Sequence, residues 1–395
     1  MRLTGGKHLA YCTNIHRGET WGETLANLER HTLAVRTQVC PDAPYAIGLR
    51  LGAAAARELA EPSTLTAFRR WLDHHNAYVF TINGFPYGTF HGTRVKEQVY
   101  APDWTTDERV AYTNLLFDLL AAIVPPGVAG SVSTVPCSFK DFITSATQEA
   151  AMRRNLRRCV SHIADLCQRS GRELHLGLEP EPLCFLETTD ETVRFFGDLR
   201  ADDPADDRIA RHLGVNYDTC HLGVEFEQAA ESLGRLRGAG IRISKVHLSS
   251  ALKVHPTPAA RKLLTAFSDP VYFHQVVARG EDGRVRRFRD LAEALAEPAG
   301  PGEEEWRIHY HVPLHAGLEA PFETTADHLH GALDFLREDP EVCEHFEMET
   351  YTWEVLPEHL RAREVVDQLV AEYRWTLAEF GIRGFVPEAA AGATG

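Results

Sequence analysis

The stretch "LGVNYDTCHLGVEFE", residues 213–227, runs as an apolar strand into Asp218, a small pair and His221. An acid and a histidine where a strand gives way to a loop add little to packing and suit a metal ion or a proton transfer. The pattern recurs. "LHLGLEPE" (174–181) ends in Glu179 and Glu181, "RISKVHLS" (242–249) carries Lys245, His247 and Ser249, and "HFEMETYT" (345–352) carries Glu347, Glu349 and Tyr351. Residues two apart on a strand share a face, so each set presents its polar groups in one direction. "WRIHYHVPLHA" (306–316) does the same with His309 and His311. Taken singly, the residues have plainer roles: His247 as a hydrogen-bonded core histidine, Glu181 as a helix cap, Glu347 and Lys245 as ion-pair partners. Taken together, acids gathered on one rim would repel and resist desolvation unless a divalent cation sat among them.

Positioning such residues requires a scaffold that brings many strand ends to one place. The candidate strands are 8–15, 45–51, 77–84, 129–136, 174–181, 213–218, 242–249 and 345–352, each short, apolar or β-branched, and bounded by turn residues. Amphipathic stretches separate most of them. The segment 20–39 has helical spacing, Thr106 is placed to cap a helix, and a long helix is expected to close at Gly171. Strands alternating with helices imply a parallel sheet, and eight such units imply a (β/α)8 TIM barrel with its polar residues at the C-terminal strand ends. An open doubly wound sheet would instead gather them at one switch point. The segment 252–304 breaks the rhythm and is expected to be an excursion after the seventh strand of a single domain spanning 1–382. The strand 306–316 is expected over the barrel mouth, and the small-residue segment 383–395 is expected to be a disordered tail.

Composition narrows the function. The 395 residues carry a formal charge of −15, against the cationic surface that nucleic-acid binding needs. No apolar run approaches the ~18 residues of a membrane span. The start "MRLTGGKHLAYC" is not followed by the apolar run of a secretory leader, and the eight cysteines form no CxxC. These features predict a cytoplasmic protein with reduced core cysteines. Asn14, His16, Asn83 and Lys245 are candidate contacts to hydroxyl or phosphate groups, and Trp21 and Phe85 candidates for an apolar wall.

The strand-end motifs "LEP" with Glu179, "DTCH" with Asp218 and His221, "KVHLS" with His247 and "METYT" with Glu349 resemble those of the xylose-isomerase-like barrel superfamily, which holds sugar isomerases, ketose epimerases and endonuclease IV-type repair enzymes. The resemblance implies Glu179, Asp218, His247 and Glu349 as ligands of one divalent ion, with His221 facing the ion or the substrate. Three carboxylates and an imidazole suit Mn²⁺, Mg²⁺ or Co²⁺, and also accept Zn²⁺. His309 and His311 are available to a second ion. The epimerases imply Glu179 and Glu349 as a pair that removes and returns a proton. The expected partner is a small sugar-like or cyclitol-like metabolite contacted by Asn14, His16, Asn83, Glu181, Lys245, His309 and His311. The chain departs from the repair-enzyme pattern: strands two and three end "GLRLG" and "TINGFP" without histidine, and His91 lies farther on. The segments 11–21, 80–92, 95–113 and 131–140 are similar to a narrower group, the EboE metabolite traffic proteins of bacterial ebo clusters. A non-catalytic metabolite binder and an endonuclease IV-like phosphodiesterase are the competing functions.

Overall fold

Eight short strands carry the architecture: β1 (Lys7–Tyr11), β2 (Tyr45–Arg50), β3 (Ala77–Asn83), β4 (Gly130–Thr134), β5 (Leu174–Leu178), β6 (Leu213–Asp218), β7 (Arg242–Leu248) and β8 (His345–Met348). The computed structural model describes residues 1–88, 96–268, 271–298, 300, 302–357 and 364–388. Neighbouring strands pair in parallel from β2 through β8 and from β8 to β1. The ring closes between β1 and β2 through a single parallel bridge, Cys12 to Gly48. The chain is therefore an α/β TIM barrel. Its strands are buried on both faces, as parallel strands covered by helices must be.

Local sequence explains the helices that make the outer layer. Thr20 and Glu23 form a reciprocal capping box at Trp21–Asn27. Thr106 caps Asp107–Ile123, and Gly171 ends Ala146–Ser170 in the left-handed conformation, with φ 67°. The helical segment expected over 20–39 is divided by a π-helical stretch, Leu28–Thr32.

Two bulges set which side chains enter the barrel. The register shifts at Ile47/Gly48 against β3 and at Val215/Asn216 against β7. Each places one extra residue on the longer partner, so that Phe80 with Thr81 and Ser244 with Lys245 escape strict alternation. The interior is consequently layered. His8, His175, His345 and Phe80 pack at the base. Lys245 and Glu347 pair above them, both fully buried. Gly48 is obligatory at that level, because a Cβ there would lie 2.0 Å from Glu347 Oε1 and 2.8 Å from the Tyr11 carbonyl.

The excursion after β7 is larger than 252–304. It forms a five-stranded antiparallel sheet in the order Val285–Phe288, Val276–Gly280, Glu303–Ile308, Leu252–Val254, Phe322–Thr324. Its own apolar core includes Leu252, Val276, Trp306 and Ile308. The strand expected over 306–316 is thus Glu303–Ile308, a central strand of this sheet. Its ladder stops at Ile308, and 309–316 continues irregularly, anchored by Val312 N to the Ser250 carbonyl. The tail expected from 383 is also revised. Phe385 is buried, Pro387 bridges Leu3, and Glu388 N bonds the Arg2 carbonyl. Residues 383–388 thus belong to the folded body, because they add an edge beside the short strand Arg2–Leu3. Residues 389–395 and His91 lie outside the described residues.

Candidate metal centre and pocket

The placement of Asp218 answers why an acid precedes a small pair and a histidine. It ends β6 and caps the short helix Thr219–Val224, its Oδ1 accepting from Cys220 N at 2.7 Å and His221 N at 3.0 Å. Ser249 Oγ donates to the same oxygen at 2.7 Å. One carboxylate oxygen is thereby fixed by the fold, while Oδ2 has no hydrogen-bond donor among the described residues. His221, in the first turn, donates Nδ1–H to the Pro180 carbonyl at 3.0 Å, which leaves its Nε2 toward Asp218 Oδ2, 3.9 Å away.

Three neighbours complete the cluster. Glu179 follows β5, tied by its N–H to the Thr134 carbonyl at 3.1 Å. Glu349 follows β8, tied to the Leu248 carbonyl at 3.0 Å. His247 is paired in register with Asp218 on one side and Glu347 on the other. Its Nδ1 lies 2.9 Å from Glu179 Oε1, 3.2 Å from Glu349 Oε2 and 3.5 Å from Asp218 Oδ2. One ligand atom from each of Glu179, Asp218, His247 and Glu349 lies within 4.8 Å of the others, and all four residues are buried.

Electrostatics distinguishes this cluster from an ordinary ion-pair network. Burial works against every charge here. Yet His247 and His221 hold the Glu179 carboxyl below its ordinary range, and His221, His247 and His311 hold Asp218 well below its own. In return Glu349 and Glu179 outweigh burial and hold the His247 imidazole well above its usual value. Three carboxylates crowd one imidazole in a buried site. Glu179 Oε2 and Asp218 Oδ2 are buried without a hydrogen bond among the described residues. The donor set and the orphaned oxygens both fit a divalent cation.

The next layer orients these groups. His247 Nε2–H donates to Glu347 Oε2 at 2.9 Å, and Lys245 Nζ donates to the same oxygen at 2.6 Å and to Ser133 Oγ at 3.0 Å. A carboxylate behind a ligating histidine fixes its tautomer and raises its basicity. Asn14 and Asn83 donate to Glu349 Oε1 at 2.7 and 3.2 Å. Beside the cluster, Glu181 Oε1 accepts from Tyr100 OH at 2.7 Å and Gln275 Nε2 at 3.3 Å. Burial pushes the Glu181 carboxyl up to about 7 even though His221 and Tyr100 favour its charged form.

Of the residues expected to contact a metabolite, Asn14, Asn83, Glu181 and His309 line one pocket with Glu179, His221 and Glu349. His311 sits behind His309, their Nε2 atoms 3.2 Å apart, and anchors Nδ1–H on the Glu349 carbonyl at 2.8 Å. Two expectations are corrected. Lys245 shares the inward face with His247 but lies one layer deeper, with no exposure and its charge spent on Glu347. His16 bonds the Tyr11 hydroxyl at 2.9 Å and stacks on His31, away from the pocket. Its 3₁₀ turn, Thr13–Ile15, takes it off the strand parity. Trp21 packs against Phe68, whereas Phe85 does line the pocket. Lys96, Tyr100, Tyr272 and Phe273 also line the pocket, from segments whose sequence carries no periodic signal, and Gln275 supports Tyr100 and Glu181 beside it.

No family model matches the chain, and no curated protein matches its sequence. Solved structures match its fold. An L-ribulose 3-epimerase superimposes with a TM-score of 0.50 at 13% identity, covering 95% of each chain. A xylose isomerase-like TIM barrel protein from Mycobacterium smegmatis, in complex with magnesium, gives 0.52 at 12% identity over 95% of this chain and 97% of the other. The barrel shares the xylose-isomerase-like fold with both.

Proposed function

We propose that this protein is a divalent-cation-dependent isomerase or epimerase of small hydroxyketone or polyol metabolites. The observation that carries the proposal is the buried cluster of Glu179, Asp218, His247 and Glu349, delivered by four different strands to one point at the barrel mouth. These four residues would hold the ion; Mn²⁺, Mg²⁺ or Co²⁺ suits the mixed carboxylate–imidazole set, and Zn²⁺ is also compatible. When bound, the ion supplies Lewis acidity to a carbonyl or hydroxyl oxygen. That one related fold is an L-ribulose 3-epimerase and another holds magnesium supports this reading.

The chain's own residues supply the rest. Glu179 and Glu349 are the proposed proton-transfer pair. Asn14 and Asn83 hold Glu349 Oε1 in place and leave Oε2 for the chemistry. His221, with its Nε2 directed into the pocket, and Glu181 are placed to bind or relay protons to substrate hydroxyls. Glu181, His221 and His309, or Asp218, His221 and His311, gather ligand atoms closely enough for a second ion. The resemblance of segments 11–21, 80–92, 95–113 and 131–140 to the EboE group is the ground for extending the proposal to a role in small-metabolite traffic. No helix among the described residues is long and apolar enough to cross a membrane.

The decisive experiment measures metal content of purified protein and then solvent exchange of carbon-bound protons in a panel of ketoses and cyclitols. Bound metal with stereospecific exchange supports the proposal. Metabolite binding with no exchange replaces it by a carrier role.

A further inference from the structure

Gln275 and His309 face each other across two strands of the inserted sheet, one step beyond the last ladder pair, Val276 with Ile308. His309 N donates to the Gln275 carbonyl at 2.8 Å, and both side chains are buried. The Gln275 amide can sit only one way round. Its Nε2 lies 3.0 Å from Tyr100 OH and 3.3 Å from both Glu181 Oε1 and the Pro182 carbonyl. The Tyr100 proton goes to Glu181, so all three neighbours accept. A reversed amide would set its oxygen against the Glu181 carboxyl and the Pro182 carbonyl. Gln275 Oε1 therefore faces His309 Nδ1 at 2.7 Å, and Nδ1 carries the proton of that bond. Glu181 Oε1, 3.6 Å from the same nitrogen, favours the same placement. Burial, with His221 and His311 beside it, holds the His309 ring well below its usual pKa. A neutral imidazole has one N–H, so Nε2 is a bare lone pair.

That lone pair needs a donor, and the described residues place none in ordinary range. His311 Nε2 is 3.2 Å away. The His311 Nδ1 proton is spent on the Glu349 carbonyl, which can only accept, so with one proton on each ring two lone pairs face each other. His221 repeats the pattern, with its Nδ1–H on the Pro180 carbonyl and its ring centroid 4.5 Å from that of His309. Tyr351 OH contacts His309 Nε2 at 3.5 Å, longer than an ordinary hydrogen bond. The opposite tautomer of His309 would remove the conflict. Its Nε2–H would donate to His311 Nε2, and the two rings would satisfy each other. Gln275 opposes that tautomer, and it belongs to the insertion rather than to the barrel. His309 lines the pocket beside Glu181 and His221. A carboxylate or phosphate oxygen meeting its Nε2 would add a further lone pair, whereas a hydroxyl donates.

We infer that Gln275 is a positioning residue: it holds His309 as the Nδ1–H tautomer, so that Nε2 enters the pocket as the acceptor for a hydroxyl group of the ligand. The inserted sheet thereby completes a site whose acids belong to the barrel. The hydroxyl-bearing ligand rests on the proposed function; the tautomer does not.

The test is long-range proton–nitrogen NMR correlation on ¹⁵N-histidine-labelled protein with Mg²⁺ present, which separates protonated from bare ring nitrogens. His309→Gln and His311→Gln identify the two sets of signals. The wild type should show His309 protonated on Nδ1 and bare on Nε2. Gln275→Met, close in length but without the acceptor oxygen, should move the His309 proton to Nε2. Gln275→Glu keeps an oxygen against Nδ1 and should keep Nδ1 protonated. Unshifted signals from His8, His175 and His345 at the barrel base show that each variant is folded. Titration with D-fructose and with myo-inositol should move the His309 Nε2 signal for at least one of them. Gln275→Met should weaken that binding about two- to tenfold, the worth of one neutral hydrogen bond. Wild-type His309 protonated on Nε2, His311 protonated on both nitrogens, an unchanged tautomer or affinity in Gln275→Met, or a His309 signal that neither probe moves would overturn the inference. Carbon-proton exchange with an unmoved His309 signal keeps the isomerase proposal and loses this one. A moving signal without exchange does the reverse.

Discussion

Lys245 and Glu347 meet at 2.6 Å inside the barrel, neither with any exposure, and the shared Glu347 Oε2 also receives the His247 Nε2 proton at 2.9 Å. The pair therefore links the packed interior to the candidate metal centre. Removing one member of a buried pair strands the other's charge, at about 3–5 kcal/mol. Lys245→Met is expected to lower unfolding free energy by that order in chemical denaturation. It should also weaken metal affinity, since Glu347 would lose the cation that fixes it beneath His247.

Glu347→Gln isolates the orienting role. The amide keeps the shape but accepts from His247 without a charge. Loss of such a group behind a ligating histidine typically weakens metal binding about 10–100-fold. Equilibrium dialysis against Mn²⁺ should show a drop of that order. Unchanged affinity would reduce Glu347 to a packing residue.

His247→Ala should abolish stoichiometric metal in elemental analysis of the purified protein, because it removes the single imidazole of the four-residue cluster. Glu349→Gln should retain the fold and lose exchange of the substrate's carbon-bound proton. Metal content is measured alongside, since the same side chain is a proposed ligand. Exchange at the wild-type rate in a metal-replete Glu349→Gln variant would remove Glu349 from proton transfer.

Gly48→Ala probes ring closure. The added methyl would lie 2.0 Å from Glu347 Oε1 and 2.8 Å from the Tyr11 carbonyl, at the one bridge between β1 and β2. The carboxylate is tied through Oε2 to Lys245 and His247, and the second contact is backbone. A loss of at least about 2 kcal/mol is expected, in the range of overpacked cores, read as a lower melting temperature and reduced soluble yield.

Glu372 gives a pH dependence separate from the site. Burial pushes its carboxyl from the ordinary 4.5 up to about 7, despite hydrogen bonds from Thr350 Oγ1 at 2.9 Å and Leu314 N at 3.1 Å. Between those two values the folded state holds a proton that the unfolded state has released, so this group's contribution to stability falls as pH rises. The loss amounts to about 3 kcal/mol, at ~1.4 kcal/mol per unit. Glu372→Gln should remove it. The difference in urea-unfolding free energy between about pH 5 and about pH 8 should be smaller in the variant than in the wild type by that order.

The sequence by itself determined the barrel and the identity of the clustered acids and histidine. Alternation of strand and helix is a local property, and period-two spacing assigns side chains to a face before any contact is known. Strand-end spacing made Glu179, Glu181, Asp218, Lys245, His247, Glu347 and Glu349 candidates, and the resemblance to the xylose-isomerase-like superfamily singled out Glu179, Asp218, His247 and Glu349. Tertiary structure alone decided depth, direction and the far wall. Parity puts Lys245 and His247 on one face, Lys245 earlier on the strand and so a layer deeper, but only the fold showed that its charge is spent on Glu347. His16 left its strand's parity at a 3₁₀ turn and faces Tyr11. Tyr100 and Phe273 reach the pocket from a 3₁₀ turn and from the insertion after β7, where position follows long-range docking rather than any repeat in the chain.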